Sequence, residues 1–256
     1  MNSHSKALAA SLVLTLLLLL LPAGAFARAG GGGGGAGGGG TGGGGGAAHT
    51  YTGYSGNSTN GSSNPIGDVI NWLLFSLTVF SGAIVFHVKL TKKKRKNERL
   101  MAKFDDADPA WRYGDIRKRV EKAFYVIQKG WSDRDLTEAG DYLSDDLRDQ
   151  FSIKLEWMKV QGKRNILENI RLESVQPVAV NDSSDNSKDT IWFYVKARMI
   201  DYMVDENDLT ILSGSKSAHP FVEYWMFTRG TTGWVLNRIL QEDEGKKLFF
   251  DERTPS

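Results

Sequence analysis

The chain has 256 residues, 41% of them hydrophobic, and no cysteine, which removes disulfides, thiolate metal sites and thiol nucleophiles together. Its formal charge of +2 hides a division: nine of the 32 basic and two of the 30 acidic residues fall in 1–99, leaving 23 basic and 28 acidic in 100–256. An acidic C-terminal part lacks the basic footprint that gives affinity for phosphate backbones, which argues against a nucleic-acid partner.

Met1–Ala27 begins polar with Lys6, runs through leucines from Leu8 to Leu21 and ends in PAGAFA. A basic start, a short apolar run and a small-x-small exit are the parts of a secretory signal peptide, with cleavage expected after Ala27. The alternative is an uncleaved anchor that forms a second span; both leave the C-terminal part inside. Residues 28–65 are dominated by glycine, then by Tyr, Ser, Asn and Thr. Such a tract has little to bury and much backbone entropy to lose, so it reads as a flexible linker.

Residues 66–88, IGDVINWLLFSLTVFSGAIVFHV, are apolar enough for a transmembrane helix, and their length suits a hydrocarbon core crossed by about 20 residues. A helix buried in a globular core would need more surrounding chain than is present, and an interfacial helix would need a charged face. The basic juxtamembrane segment 89–104 follows directly, while no Lys or Arg occurs between Ala29 and Val88. Basic residues stay on the cytoplasmic side, so the expected topology is a single pass through the cell inner membrane, N-terminus outside and C-terminal domain in the cytoplasm. Lys92, Lys93, Lys94, Arg95 and Lys96 are also candidates for anionic lipid headgroups, each worth about 1 kcal/mol near such a surface.

The domain is expected at 105–243, opened by the turn Phe104–Pro109. Ile116, Val120, Ala123, Phe124, Ile127 and Trp131 repeat at helical spacing after Asp115, which predicts a first helix ending near Gly130–Ser132. Asp133–Leu143 reads as a second, shorter helix. Ser144 is a plausible N-cap for a third, with Asp145 and Asp146 in its first turn, Leu147, Phe151, Leu155 and Met158 on one face, and Gly162 as the stop. From Leu172 the apolar period becomes two, in ESVQPVAV, TIWFYVKARMIDYMV, HPFVEYWMFTRG and WVLNRIL, with NDSSDNSKD, DENDLTILSGSK and GTTG between them. The product is an α+β fold: a conical, four-stranded antiparallel sheet with helices on one face, followed by a C-terminal tail at 244–256.

Chemistry-bearing clusters are sparse. His219 is the only histidine of the domain and cannot form a zinc site alone. Asp182–Asp189 lacks the glycine and terminal acid of a helix–loop–helix calcium loop, and Asp205–Asp208 is too short for one; both read as hairpin turns. No catalytic residue, metal or cofactor is expected. The aromatic residues are more numerous than a small core requires. Trp131, Trp157, Tyr194, Glu223, Trp225, Phe227 and Trp234 are therefore candidates for an apolar pocket, with core packing as the competing role.

Glu223, Trp225, Phe227 and Arg229, a turn, then Trp234, Leu236 and Ile239 make a Glu-x-Trp-x-Phe-x-Arg strand followed by Trp-x-Leu-x-x-Ile. Together with Phe124, Trp131 and the turn from Leu143 to Leu147, this resembles the C-terminal domain of the 44-kilodalton subunit of the mitochondrial inner-membrane translocase, over roughly 105–242. The family is also found in a mitoribosomal protein and in bacterial membrane proteins. The resemblance implies a fold similar to nuclear transport factor 2, with an apolar pocket. It also implies a non-enzymatic binding or scaffold role at the inner face of an energy-transducing membrane, with a protein or lipid partner and a link to protein transport or membrane-complex assembly. The mitochondrial member recruits a chaperone motor through a region upstream of the domain. Here that region is replaced by a signal peptide, glycine tract and span, as in a membrane-anchored bacterial member, so chaperone recruitment does not transfer. The alternative is a small-molecule enzyme of isomerase or dehydratase type using the cone pocket.

Overall fold

The computed structural model describes residues 65–251, with side chains from Ser81 onward. The expected signal peptide and all but the last residue of the linker lie outside these residues. Helix α1 runs from Pro65 to Asp105 without a break. No helix among the described residues is long and apolar enough to cross a membrane; the side chains at 66–80, on which the expected span chiefly rests, lie outside them. The chain divides into two compact units at Lys92/Lys93, and the second holds the sheet and its helices.

That second unit begins upstream of residue 105. Asn97, Met101 and Phe104 recur at four and three residues, so one face of the otherwise basic end of α1 packs inward. Asn97 and Met101 are buried, and Phe104 meets Trp111 edge-on at 5.0 Å. A 3-10 turn at Pro109–Trp111 follows, capped by the Asp108 side chain, which accepts from the Ala110 N–H. Proline at its start has a fixed φ and no N–H to lose there.

Helix α2 spans Tyr113–Asp133 and buries Ile116, Val120, Ala123, Phe124, Ile127 and Trp131. Its end is fixed by Arg134, a left-handed residue (φ 59°) whose N–H bonds back to Gly130 and Trp131 carbonyls. The second helix expected at Asp133–Leu143 does not form. Asp135 instead accepts from both the N–H and the hydroxyl of Thr137, and a five-residue 3-10 helix, Glu138–Tyr142, is all that follows. Ser144 then donates its N–H to Leu236 at 2.9 Å, drawing the chain onto the sheet before another helical turn can form. Helix α3, Asp145–Val160, starts where the sequence places it, with the Ser144 hydroxyl accepting from the Leu147 N–H. It stops at Gly162, whose φ of +63° suits a residue without a side chain.

Four strands make one antiparallel sheet in the order β1-β2-β3-β4: Lys163–Asn181, Thr190–Asp205, Ile211–Gly230 and Gly233–Gln241. Two strands are longer than their period suggests. β1 begins at Lys163 rather than near Leu172, because a bulge at Glu168/Arg171, where Asn169 has φ 52°, breaks the alternation. β3 begins at Ile211, so the loop after β2 is short and ILSGSK belongs to a strand. The hairpin acids act as turn formers: Asp185 accepts from Ser187, and Asp205 from Asn207.

Helices α2 and α3 cover one face of the sheet, where Phe193, Val195, Trp225 and Phe227 point into the core. The other face carries Trp192, Tyr194 and Tyr224. A last helix, α4 (Glu242–Phe250), folds back over it from the segment read from sequence as a tail. Its start is a capping box between Gln241 and Glu244.

Candidate functional site

Three of the pocket candidates stand in one row. Glu223, Trp225 and Phe227 alternate onto the core face of β3, and none has accessible surface. Trp225 packs on Phe124 of α2 at 5.5 Å, and Phe227 meets Phe193 at 5.9 Å. The Trp225 indole donates to Glu223 Oε2 at 2.9 Å, so the carboxylate is held against its own strand and faces no opening. Trp131 joins the same core; its indole donates to Asn165 Oδ1 at 3.0 Å, and Asn165 donates on to Asp201. The two indole N–H groups and the Asn165 amide thus find acceptors inside the fold, as burial demands.

The remaining candidates lie elsewhere. Tyr194 is on the opposite face, 5.7 Å from Tyr224 and beneath α4. Burial, with lesser contributions from Glu242 and Glu173, pushes its hydroxyl up to about 12. Trp234 sits at the start of β4, 4.9 Å from Trp111, and its indole donates to the Ala110 carbonyl. Trp157 is on the outside of α3 and 62% exposed. Of the basic run, Lys92, Arg95 and Lys96 are exposed and Lys93 and Lys94 half-buried. Lys93 Nζ lies 5.5 Å from the Phe250 ring, and burial, then Lys96, lowers its pKa.

The cover formed by α4 is close-fitting. Phe249 stacks on Tyr224 at 5.5 Å and tilts against Trp192 at 5.3 Å. Gly245 rests on the Tyr224 ring, so that an added methyl group would fall inside it. We expect Gly245→Val to unseat α4 while the sheet and core stay folded. Limited proteolysis would then cut after Lys246 or Lys247 sooner than in the parent chain; unchanged protection would mean that Tyr224 can move aside.

Arg229 organises the other end of the sheet. Its Nη2 bonds Asp108 Oδ2, and its Nε is 2.9 Å from Asp189 Oδ2, an ion pair that lies off the line of a hydrogen bond. The guanidinium also lies against Trp111 and Trp234, at 5.7 and 5.5 Å. An open cleft of about 600 Å³ lies beside it, walled by Phe104, Asp108, Trp111, Ser183 and Asn186. Two carboxylates already engage the arginine, so this wall is charge-matched and suits joining α1, the β1–β2 turn and β3.

The surface that remains is the outside of α3. Ile153 (70% exposed), Trp157 and Val160 (77% exposed) recur at four and three residues and share one side. Leu147, Phe151, Leu155 and Met158 fill the opposite side. Of the exposed stripe the sequence singles out Trp157 alone, as a pocket candidate. The signal for the whole stripe was present, since a helix with two apolar stripes of different phase cannot bury both against one sheet.

A family model described as the Tim44-like domain matches residues 97–241, more than half of the chain. No curated protein matches. Among solved structures, the intermembrane space region of the chloroplast protein ARC6 aligns with 48% of this chain and 94% of its own, at 10% identity and a TM-score of 0.34.

Proposed function

The chain belongs to the Tim44-like domain family, and from that premise we propose that it is a membrane-tethered, non-enzymatic binding module that docks a protein partner on the outer side of α3. The family is one of binding domains rather than catalysts. The observation that carries the reading is the Ile153–Trp157–Val160 stripe, apolar and open to solvent on a helix whose other side already builds the core. In this reading residues 66–88 span the inner membrane, the N-terminus lies outside and the domain works at the cytoplasmic face, in protein transport or the assembly of membrane complexes. The basic residues Lys92–Lys96 meet anionic headgroups there. Of the bases an isomerase or dehydratase could use, Glu223 has no accessible surface and is bonded to Trp225, Asp201 is buried and accepts from Asn165, and His219 is exposed on β3.

The test places a photoreactive amino acid at position 157 of the intact chain in its own membrane, with the same group at the exposed Tyr125 of α2 as control. A protein adduct from 157 that is absent from 125 is expected. No adduct from 157 would end the docking reading.

A further inference from the structure

The outer side of α3 has a repeat and a charge pattern that specify what fits it. Counting along the exposed stripe, Gln150, Ile153, Trp157 and Val160 are separated by three, four and three residues, the alternation that keeps a seam facing a partner helix. Asp149 and Glu156, seven apart, flank this seam on one edge. Lys154 and Gln161, also seven apart, flank it on the other.

Asp149 and Lys154 have no ion-pair or hydrogen-bond partner among the described residues, although Arg148 pairs with Asp145 and Lys159 lies 4.0 Å from Glu156. Five residues separate them, too far round the helix for the i,i+3 or i,i+4 contacts that pair charges within one helix. In two parallel helices that share a seam, however, an edge residue meets the residue five further along on the opposite edge of its partner. Asp149 then meets Lys154 of a second copy, and Glu156 meets its Gln161. An antiparallel arrangement would bring Asp149 against Glu156, two like charges. Lys154 is half-buried and its pKa is lowered by burial alone, so a carboxylate from outside would restore what its own fold withholds.

From this pattern we infer that the α3 face is occupied by the α3 of a second copy of the chain, packed parallel about a two-fold axis, with Ile153, Trp157 and Val160 at the centre. The inference rests on the docking reading above and names its partner. Gln150 meets itself in the seam, a polar residue that fixes register at some cost in stability. At Asp146 two like charges would meet, so the pairing runs from Asp149 to Gln161. Eight seam and edge residues per copy make a small interface, and confinement of both copies to one membrane raises their effective concentration enough to populate it.

The chain has no cysteine, so single cysteines report on proximity without background from the rest of the molecule. In the full-length chain in its membrane, Ile153→Cys should give a disulfide-linked dimer under mild oxidation. Ser152→Cys, exposed but turned about 100° away, should not. In the Ile153→Cys chain, adding Asp149→Lys should reduce dimer several-fold, and adding Lys154→Asp to that should restore it. Equal dimer from both cysteines, or no rescue by the double reversal, would overturn the inference. No dimer together with a 157 adduct to a different protein would overturn it while leaving the docking reading intact; no dimer and no adduct would defeat both.

Discussion

Replacing Arg229 by Ala should lower the stability of the domain by about 3–5 kcal/mol, the range for removing one partner of a buried ion pair. Asp189 has no accessible surface, and without the guanidinium its carboxylate is left charged in the interior. Its other oxygen accepts from the Ser183 N–H at 2.8 Å, so the β1–β2 turn loosens with it. Asp108 and the faces of Trp111 and Trp234 lose the same group. Arg229→Lys should recover only part, since an ammonium cannot reproduce the planar fork that reaches two carboxylates and lies against two indoles. Urea unfolding followed by tryptophan fluorescence measures the difference; a loss below about 1 kcal/mol would reduce the cluster to a surface ion pair. The pH dependence has a definite sign. The Ala110 N–H, then Arg229, hold the Asp108 carboxyl below its ordinary range. Its stabilisation is therefore complete above the unfolded value of about 3.9 and is lost as pH falls through the lower folded value. Removing Arg229 should flatten that part of the acid limb.

Trp225→Ala should cost a similar amount, about 3–5 kcal/mol, through the cavity left between β3 and α2. Trp225 has no accessible surface and supplies the indole donor to Glu223. Trp225→Phe, which keeps most of the volume and removes that donor, should fall between. Trp157→Ala is the contrast: a side chain 62% exposed should change monomer stability by less than about 0.5 kcal/mol. If Trp225→Ala proved as mild, the interior would have to rearrange around the gap or open a pocket.

The parts of the fold legible in the sequence are those where one pattern acts alone. Helix α2 and the buried side of α3 follow from period and cap, and the four strands and their antiparallel order follow from alternation and turn residues. The first half of β1 was hidden by the bulge at Asn169, which shifts the period of two by a residue. The start of the domain was hidden because Asn97, Met101 and Phe104 stand among eight basic residues of α1 between Lys89 and Lys103. For the site, the sequence singles out aromatic residues but not the side of the sheet on which each falls. Register decides that: Phe193 pairs with Trp225 on the core face and Tyr194 with Tyr224 on the other. Asp189 was visible only as one acid among several in a turn, since its partner Arg229 is 40 residues away.

The position of α4 at the end of the described chain sets an order of events during synthesis. The strands that carry Trp192, Tyr194 and Tyr224 leave the ribosome before Phe249, which stacks on Tyr224. Only the segment from Glu242 onward separates the end of β4 from Phe249, so at about 5–20 residues per second the cover follows the last strand within about a second. For that interval an aromatic surface is open to chaperones. A chain ending within α4, before Phe249, would leave Trp192 and Tyr224 without the ring that covers them.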